Sequence, residues 1–422
     1  MIDHRQILKH DVFSWTVFGL PWINHFWLWE IFLGMTSKVF PQTAEMLIRL
    51  IFYVLPLLLV GWFFFLLTEK KLLRHDQALL LTISIVALLS LTVLAQIRPA
   101  LAAFALFVAN VYLVFSFKER PKIIWLLPVL QLLWVNIHGS FIVGILLTAM
   151  LLFFKGKRIT EICILALTVA ASLINPWGLG LLKHIMLISL IPETTTRVMY
   201  ADEWRSLNFH SLGGIALLSF IILSVIAFCS SKKLLKIPSL ILLIATCFAG
   251  MTSARHLPYF IFFTGYFVAE SSFSIPRHVW RKIFYGFIVL FLFCTACNFN
   301  AFSNDKQQYL PPFSAINYLK NHNMTEKILH PSDIGSYLIY SDIPVFTDGR
   351  ADLYNLNGGV RKECDDVFLL RTDPEKIFTK WKIKTILVPN EMPLNFYLRQ
   401  SSQWQRVYKD KQTVIYKKKG VY

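Results

Sequence analysis

The stretch Trp134-Val135-Asn136-Ile137-His138-Gly139-Ser140 decides how this chain reads. It sits between two apolar runs, Ile123 to Val135 and Phe141 to Phe154. Asn136 and His138 therefore fall at the junction of two apolar helices. Polar side chains there are costly unless they face a cavity, a bundle interior or headgroups. Two readings stand. Asn and His cap a tight turn between helices, or they belong to a binding site on one face of the protein. The second gains weight because the other polar, aromatic-rich connections fall on the same side.

The chain has 422 residues, of which 55% are hydrophobic, and a formal net charge of +17. Its mean hydropathy is +0.54. Several apolar runs approach the roughly 20 residues needed to cross a bilayer. About ten are expected to do so: 46–68, 77–96, 99–117, 122–136, 140–154, 159–174, 211–230, 236–251, 256–270 and 281–299. The expected fold class is an α-helical polytopic membrane protein with a C-terminal extracytoplasmic α/β domain. The positive charge clusters in short connections between apolar runs, which argues for topology signals rather than nucleic acid. Cys163, Cys229, Cys247, Cys294 and Cys297 lie in or beside apolar segments, where thiols act as small hydrophobes. Cys294 and Cys297 form a CxxC without a redox-fold context.

The connections alternate in charge. Lys70, Lys71 and Arg74, then Lys118, Arg120 and Lys122, Lys155, Lys157 and Arg158, Lys232, Lys233 and Lys236, and Arg277, Arg281 and Lys282 occupy every second one. By the positive-inside rule these are cytoplasmic. The other face then collects 1–42, Arg98, the Asn136–His138 turn, 175–210, Arg255 with His256, and the tail. The expected location is an integral protein of a bacterial inner membrane with its tail outside the cytoplasm. The N-terminus would also be outside, so the economical expectation is a further helix upstream of Met1.

Three regions follow. Residues 1–42 read as an interfacial loop and an amphipathic helix from about Ile23 to Phe40, carrying Trp15, Trp22, Trp27 and Trp29. Residues 43–302 form the helical bundle, with Leu179 to Leu190 as an interfacial helix. Residues 303–422 form the α/β domain, with helices at 314–321 and 374–380. Strands are expected at 327–330, 336–340, 345–347 and 385–388, and a hairpin at 404–417.

Among outer-face carboxylates, Asp11 and Glu203 stand out as candidate catalytic groups because aromatics and an opposite charge flank them. Each also fits a solvated loop charge. Arg98, Arg205 and Arg255 suit phosphate or pyrophosphate, or anchor to headgroups. With them, His25, Asn136, His138 and His256 complete the candidate substrate-binding set. In Asp348-Gly349-Arg350-Ala351-Asp352, Asp348 with Asp352 suits a metal. The more economical reading is a strand-end turn with an internal Asp–Arg pair. No P-loop, GxSxG or HExxH is present.

His10-Asp11-Val12-Phe13-Ser14-Trp15-Thr16, leading to Trp22-Ile23-Asn24-His25-Phe26-Trp27-Leu28, resembles the first outer loop of a bacterial membrane-protein family related to GT-C glycosyltransferases. The likeness continues through Arg98-Pro99, the Asn136–His138 turn, Asn175-Pro176-Trp177-Gly178, Glu203-Trp204, Arg255 and Val345-Phe346-Thr347-Asp348-Gly349-Arg350. The resemblance implies transfer of a sugar from a polyprenyl-phosphate donor to an envelope acceptor, with membrane lipids and the lipid-linked sugar as partners. It implies a first-loop acid as base or metal ligand, so a divalent ion is compatible, although no residue here is assigned to one. The family's acidic opening, D-x-D-x-W-x-H, has no counterpart in this sequence. That gap favours a second reading, a protein that binds the lipid carrier or assembles envelope without turnover.

Overall fold

Apolar residues recurring at helical spacing bury against one another, and in this chain they build α-helices of 6 to 26 residues among the described residues. We describe a computed structural model, which covers residues 6–41, 43–69, 98–117, 120–153, 158–190, 206–210, 212–229, 237–270 and 312–420. Contacts divide them into two units, one drawn mainly from 25–185 and 206–270, the other from 8–24 and 312–420.

The first unit is helical. Its helices are α1 (Trp27–Val39), α2 (Ala44–Glu69), α3 (Pro99–Phe115), α4 (Leu127–Ile137), α5 (Phe141–Ala149) and α6 (Arg158–Ser172). They continue with α7 (Leu179–Leu190), α8 (Leu212–Cys229), α9 (Ile237–Thr252) and α10 (Leu257–Glu270). These helices fall close to the apolar runs, but the spanning assignment is overturned. Among the described residues, no helix is long and apolar enough to cross a membrane. For α4 and α5 the reason is local. A 3-10 turn, Ile123–Leu126, precedes α4, and another, Met150–Phe153, follows α5. With 11 and 9 helical residues, α4 and α5 reach about 16 and 14 Å at 1.5 Å per residue, against about 30 Å of hydrocarbon. α2 and α8, at 26 and 18 residues, include positions whose side chains lie outside the described set. The expected polytopic membrane fold, and with it the inner-membrane location, is withdrawn on this finding. The runs 77–96 and 281–299 and the Cys294–Cys297 pair lie outside the described residues.

The second unit is built on a four-stranded sheet: β1 (Ile328–Leu329), β2 (Thr385–Pro389), β3 (Trp404–Lys409) and β4 (Thr413–Lys418), in the order β1-β2-β4-β3. β1 runs parallel to β2, and the other pairs are antiparallel. Side chains alternate across each strand. Ile386 and Val388 of β2, with Val414 and Tyr416 of β4, enter one core. Leu387 and Ile415 enter the other, beneath α11 (Phe313–Asn321) and α12 (Ser332–Tyr340). The expected strand at 336–340 belongs to α12. Ser332, Ile334, Gly335 and Leu338 are its buried residues, a helical rather than a two-residue repeat. Gly335 sits against the chain at Thr347, where an added Cβ would lie 2.5 Å from the Thr347 carbonyl. No strand forms at 345–347; only an isolated bridge joins Val345 to Ser14. α13 (Ala351–Leu356), α14 (Val360–Phe368), α15 (Pro374–Trp381) and α16 (Pro393–Gln400) complete the unit.

Residues 8–24 are part of this second fold. Trp15 N donates to Val345 O at 3.0 Å, Val345 N to Phe13 O at 3.0 Å, and Thr16 Oγ1 to Phe346 O at 2.6 Å. Val17 and Trp22 join the core with Phe346 and Tyr354. The fastening is ionic. Asp11 is fully buried, and its Oδ1 lies 2.6 Å from Arg350 NH1. That contact is an ion pair not aligned as a hydrogen bond. Arg350 also grips Asp348, with Nε on Oδ1 at 2.9 Å and NH2 on Oδ2 at 2.6 Å. Its guanidinium lies 4.8 Å from the Trp22 ring and 5.1 Å from the Phe13 ring. Burial works against the charged guanidinium, but hydrogen bonding to Asp348 and the charges of Asp348 and Asp11 raise its pKa above the ordinary arginine value.

Two tests follow from this packing. Removing Asp11 as Asp11→Ala leaves a half-buried guanidinium one carboxylate short. It should lower unfolding stability by about 3 kcal/mol, read from the denaturant midpoint, while an exposed control such as Lys376→Ala should stay within about 0.5 kcal/mol. His330 supplies the second. It is fully buried, faces the Pro331 carbonyl through Nδ1 at 2.9 Å and accepts Phe346 N–H on Nε2 at 3.0 Å. Both contacts suit a neutral ring. Burial, only partly opposed by the Pro331 carbonyl and Asp348, lowers its pKa from 6.5 to about 4. The unfolded chain therefore takes a proton near pH 6.5 that the folded one refuses until about 4. Stability should be intact above pH 6.5 and fall by about 3 kcal/mol as pH drops to 4, a loss that His330→Gln should remove.

Candidate functional site

The turn between α4 and α5 is ordered by its own polar groups. Trp134 sits at the end of α4 fully buried, and its indole Nε1–H donates to Ser140 Oγ at 3.1 Å. Ser140 backbone N–H donates to His138 Nδ1 at 3.0 Å, and Ser140 Oγ lies 2.7 Å from the same nitrogen. A ring nitrogen that accepts a backbone N–H carries no proton, so these contacts assign His138 the neutral form with its hydrogen on Nε2. Gly139 is required by proximity. A Cβ there would stand 2.7 Å from Ile185 Cδ1 and 3.2 Å from His25 Cδ2.

Asn136 does structural work beside it. Its Oδ1 accepts the Trp27 indole N–H at 3.0 Å. Its Nδ2 donates to Leu132 O at 2.8 Å and Ile174 O at 3.0 Å. One amide thus brackets α1, α4 and the end of α6. The turn reading holds for Asn136, which is the strut, while His138 faces a polar cluster.

That cluster collects cationic and imidazole groups. The His25 ring lies 6.0 Å from that of His184 and 3.9 Å from Phe26, which in turn lies 5.5 Å from His138. Arg255 and His256, on the 3-10 turn Ala254–His256 leading into α10, act on His138 through space. Burial, reinforced by Arg255, His25 and His256, holds the His138 pKa well below the ordinary 6.5. His138 is therefore a neutral N–H donor at physiological pH, set in a positive field.

Tyr259 belongs to the same cluster and was not singled out from the sequence. Its ring meets Phe107 edge-on at 4.8 Å and lies 6.4 Å from His256. Burial raises its pKa, while Arg255 and a hydrogen bond with the Ser140 hydroxyl pull the other way. Ser140 thus touches Trp134, His138 and Tyr259 together. The available signal was spacing: Tyr259 follows His256 by three residues on one helical face.

The remaining candidates are scattered. Arg98 is exposed at the N-cap of α3. Glu203 and Arg205 lie outside the described residues. Asp11 and the Asp348–Arg350 motif lie in the other unit, where they form the clasp. Each Asp11 oxygen is already engaged: Oδ2 accepts Ser14 N at 3.0 Å and Ser14 Oγ at 2.6 Å, and Oδ1 meets Arg350. Asp348 shows the internal Asp–Arg pair and also accepts Tyr354 OH at 2.8 Å. A separate apolar cleft of about 270 Å³ lies among α2, α3 and α4, lined by Leu59, Trp62, Phe63, Tyr112 and Val129. None of the imidazoles lines it.

Chemically, the group types in the cluster are ones that suit an anion. It offers a guanidinium, several imidazoles and a fixed neutral N–H donor. If Arg255 and the neighbouring imidazoles depress His138, then Arg255→Gln should raise the His138 midpoint toward 6.5. Side-chain NMR titration measures this, and an unmoved midpoint would break the electrostatic account of the cluster.

No protein-family model matches the chain, and no curated protein shows significant sequence similarity to it.

Proposed function

We propose that the His138 cluster binds the phosphate of a polyprenyl-phosphate-linked sugar and that the protein is a glycosyltransferase of the kind its sequence resemblance implies. The observation that carries the reading is the gathering of His25, Arg255 and His256 around the His138 imidazole, whose Nδ1 accepts the Ser140 N–H. Leaving-group phosphate gains charge as the glycosidic bond breaks, and fixed cationic donors stabilise it. In the proposed scheme Arg255 neutralises phosphate, and His138 Nε2–H and Tyr259 orient it. The apolar cleft among α2, α3 and α4 has the chemistry to take isoprenoid units.

A second reading is favoured by one specific feature. Asp11, the candidate base, is buried with both oxygens engaged, so it is not available to take the acceptor's proton. On that reading the protein binds carrier phosphate without turnover, even when an envelope acceptor fraction is supplied with the donor.

Incubating the full-length protein with a radiolabelled polyprenyl-phosphate sugar and an envelope acceptor fraction separates the two. Transfer predicts release of polyprenyl phosphate, whereas carrier binding predicts retention of intact donor. Either way, Arg255→Ala and His138→Ala should weaken donor binding by about 10- to 100-fold, the value of a charge-assisted hydrogen bond. Unchanged binding by both variants would remove the cluster from the function.

A further inference from the structure

The sheet of the second unit ends in lysines. Because β1 and β2 are parallel and β4 runs against β2, one edge of the sheet gathers the starts of β1 and β2 with the end of β4. Lys327 precedes β1, Lys382 and Lys384 precede β2, Lys417 and Lys418 close β4, and Lys419 follows. The backbone ties them side by side. Lys384 N donates to Lys327 O, Lys418 N to Lys384 O at 3.0 Å, and Lys419 N to Gln403 O at 2.9 Å. Strands lie about 4.8 Å apart, so these lysines collect at one end of the sheet, on both of its faces. All six are exposed or half-exposed. Glu326 is the one carboxylate flanking these strand ends among the described residues, and it is already paired with Lys384 at 2.6 Å.

We propose that this lysine-bearing end of the sheet is a docking surface for anionic phospholipid headgroups, a peripheral contact independent of the His138 cluster. Three features favour this occupant. The group is lysine, a mobile point charge suited to many equivalent phosphates, rather than the arginine forks that select one. Basic clusters of about this size are drawn to negatively charged leaflets. Among the described residues the large rings at this end are engaged: Trp404 and Tyr416 are 4% and 2% exposed, and Trp381, beside Lys382, packs edge-on against Trp15 and Phe346 with Lys380 over its ring. The stacking platform that single-stranded nucleic acid needs is therefore absent from this end.

The test is co-sedimentation of the full chain with vesicles of phosphatidylcholine alone or with a third phosphatidylglycerol. The expected result is binding to the anionic vesicles only, weakened by salt. The variant K417E/K418E/K419E should lose at least tenfold in affinity, and K417Q/K418Q/K419Q should lose part of that. K320E/K362E/K376E carries the same charge change on exposed lysines elsewhere and should bind like the native protein. Circular dichroism and the denaturant midpoint show that each variant is folded; if the Glu triple unfolds, the Gln triple decides. Equal binding to neutral vesicles, equal loss in the control triple, no loss in the patch variants, or tighter patch-dependent binding to single-stranded DNA would each overturn the proposal.

Discussion

A guanidinium held between two buried carboxylates organises the second unit. Arg350 reaches Asp348 two residues away and Asp11 far back in the chain, with aromatic rings of Phe13 and Trp22 against its faces. An uncompensated charge in that position is expensive, so the two carboxylates and the arginine stand or fall together. The consequence is that residues 8–24 behave as an edge segment of a fold whose other parts lie beyond residue 312. Asp11 is thereby spent on architecture, which is why a carboxylate that looks catalytic in sequence has no free oxygen in the fold.

The first unit uses charge differently. There, polar groups at the C-terminal end of α4 and at the entry to α10 come together around His138. Ser140 fixes the tautomer of His138, burial keeps that ring neutral, and Arg255 with the other imidazoles biases the surroundings positive. An incoming anion would find donors already oriented, which lowers the reorganisation cost of binding. Asn136 contributes by holding the helices that carry these groups rather than by offering a donor of its own.

Much of the helical outline was legible because apolar runs and their punctuation are local signals. Asn175-Pro176-Trp177-Gly178 marks the start of α7, and Pro99 opens α3. What those runs do was not legible. An apolar stretch of 15 residues reads alike whether it meets lipid or another helix, and the 3-10 turns that cut α4 and α5 short leave no clear mark in composition. The segment 336–340 misled for a related reason: Tyr-Leu-Ile-Tyr has strand-like composition, while the helical spacing of Ile334 and Leu338 becomes evident only with α12 in view. The partnership of Asp11 with Arg350 spans more than 300 residues, beyond any periodicity argument. The Asp348–Arg350 pair, being local, was readable. Tyr259 was missed because a tyrosine near the start of an apolar helix is ordinarily core.

The central claim is that a neutral, buried imidazole marks an anion site. It is tested most directly by following His138 in side-chain NMR titrations with and without saturating sulfate, whose charge is constant across the range. Anion binding should raise the His138 midpoint from well below 6.5 while shifting the Arg255 guanidinium resonance. A His138 midpoint already at 6.5, or one indifferent to sulfate, would contradict the account.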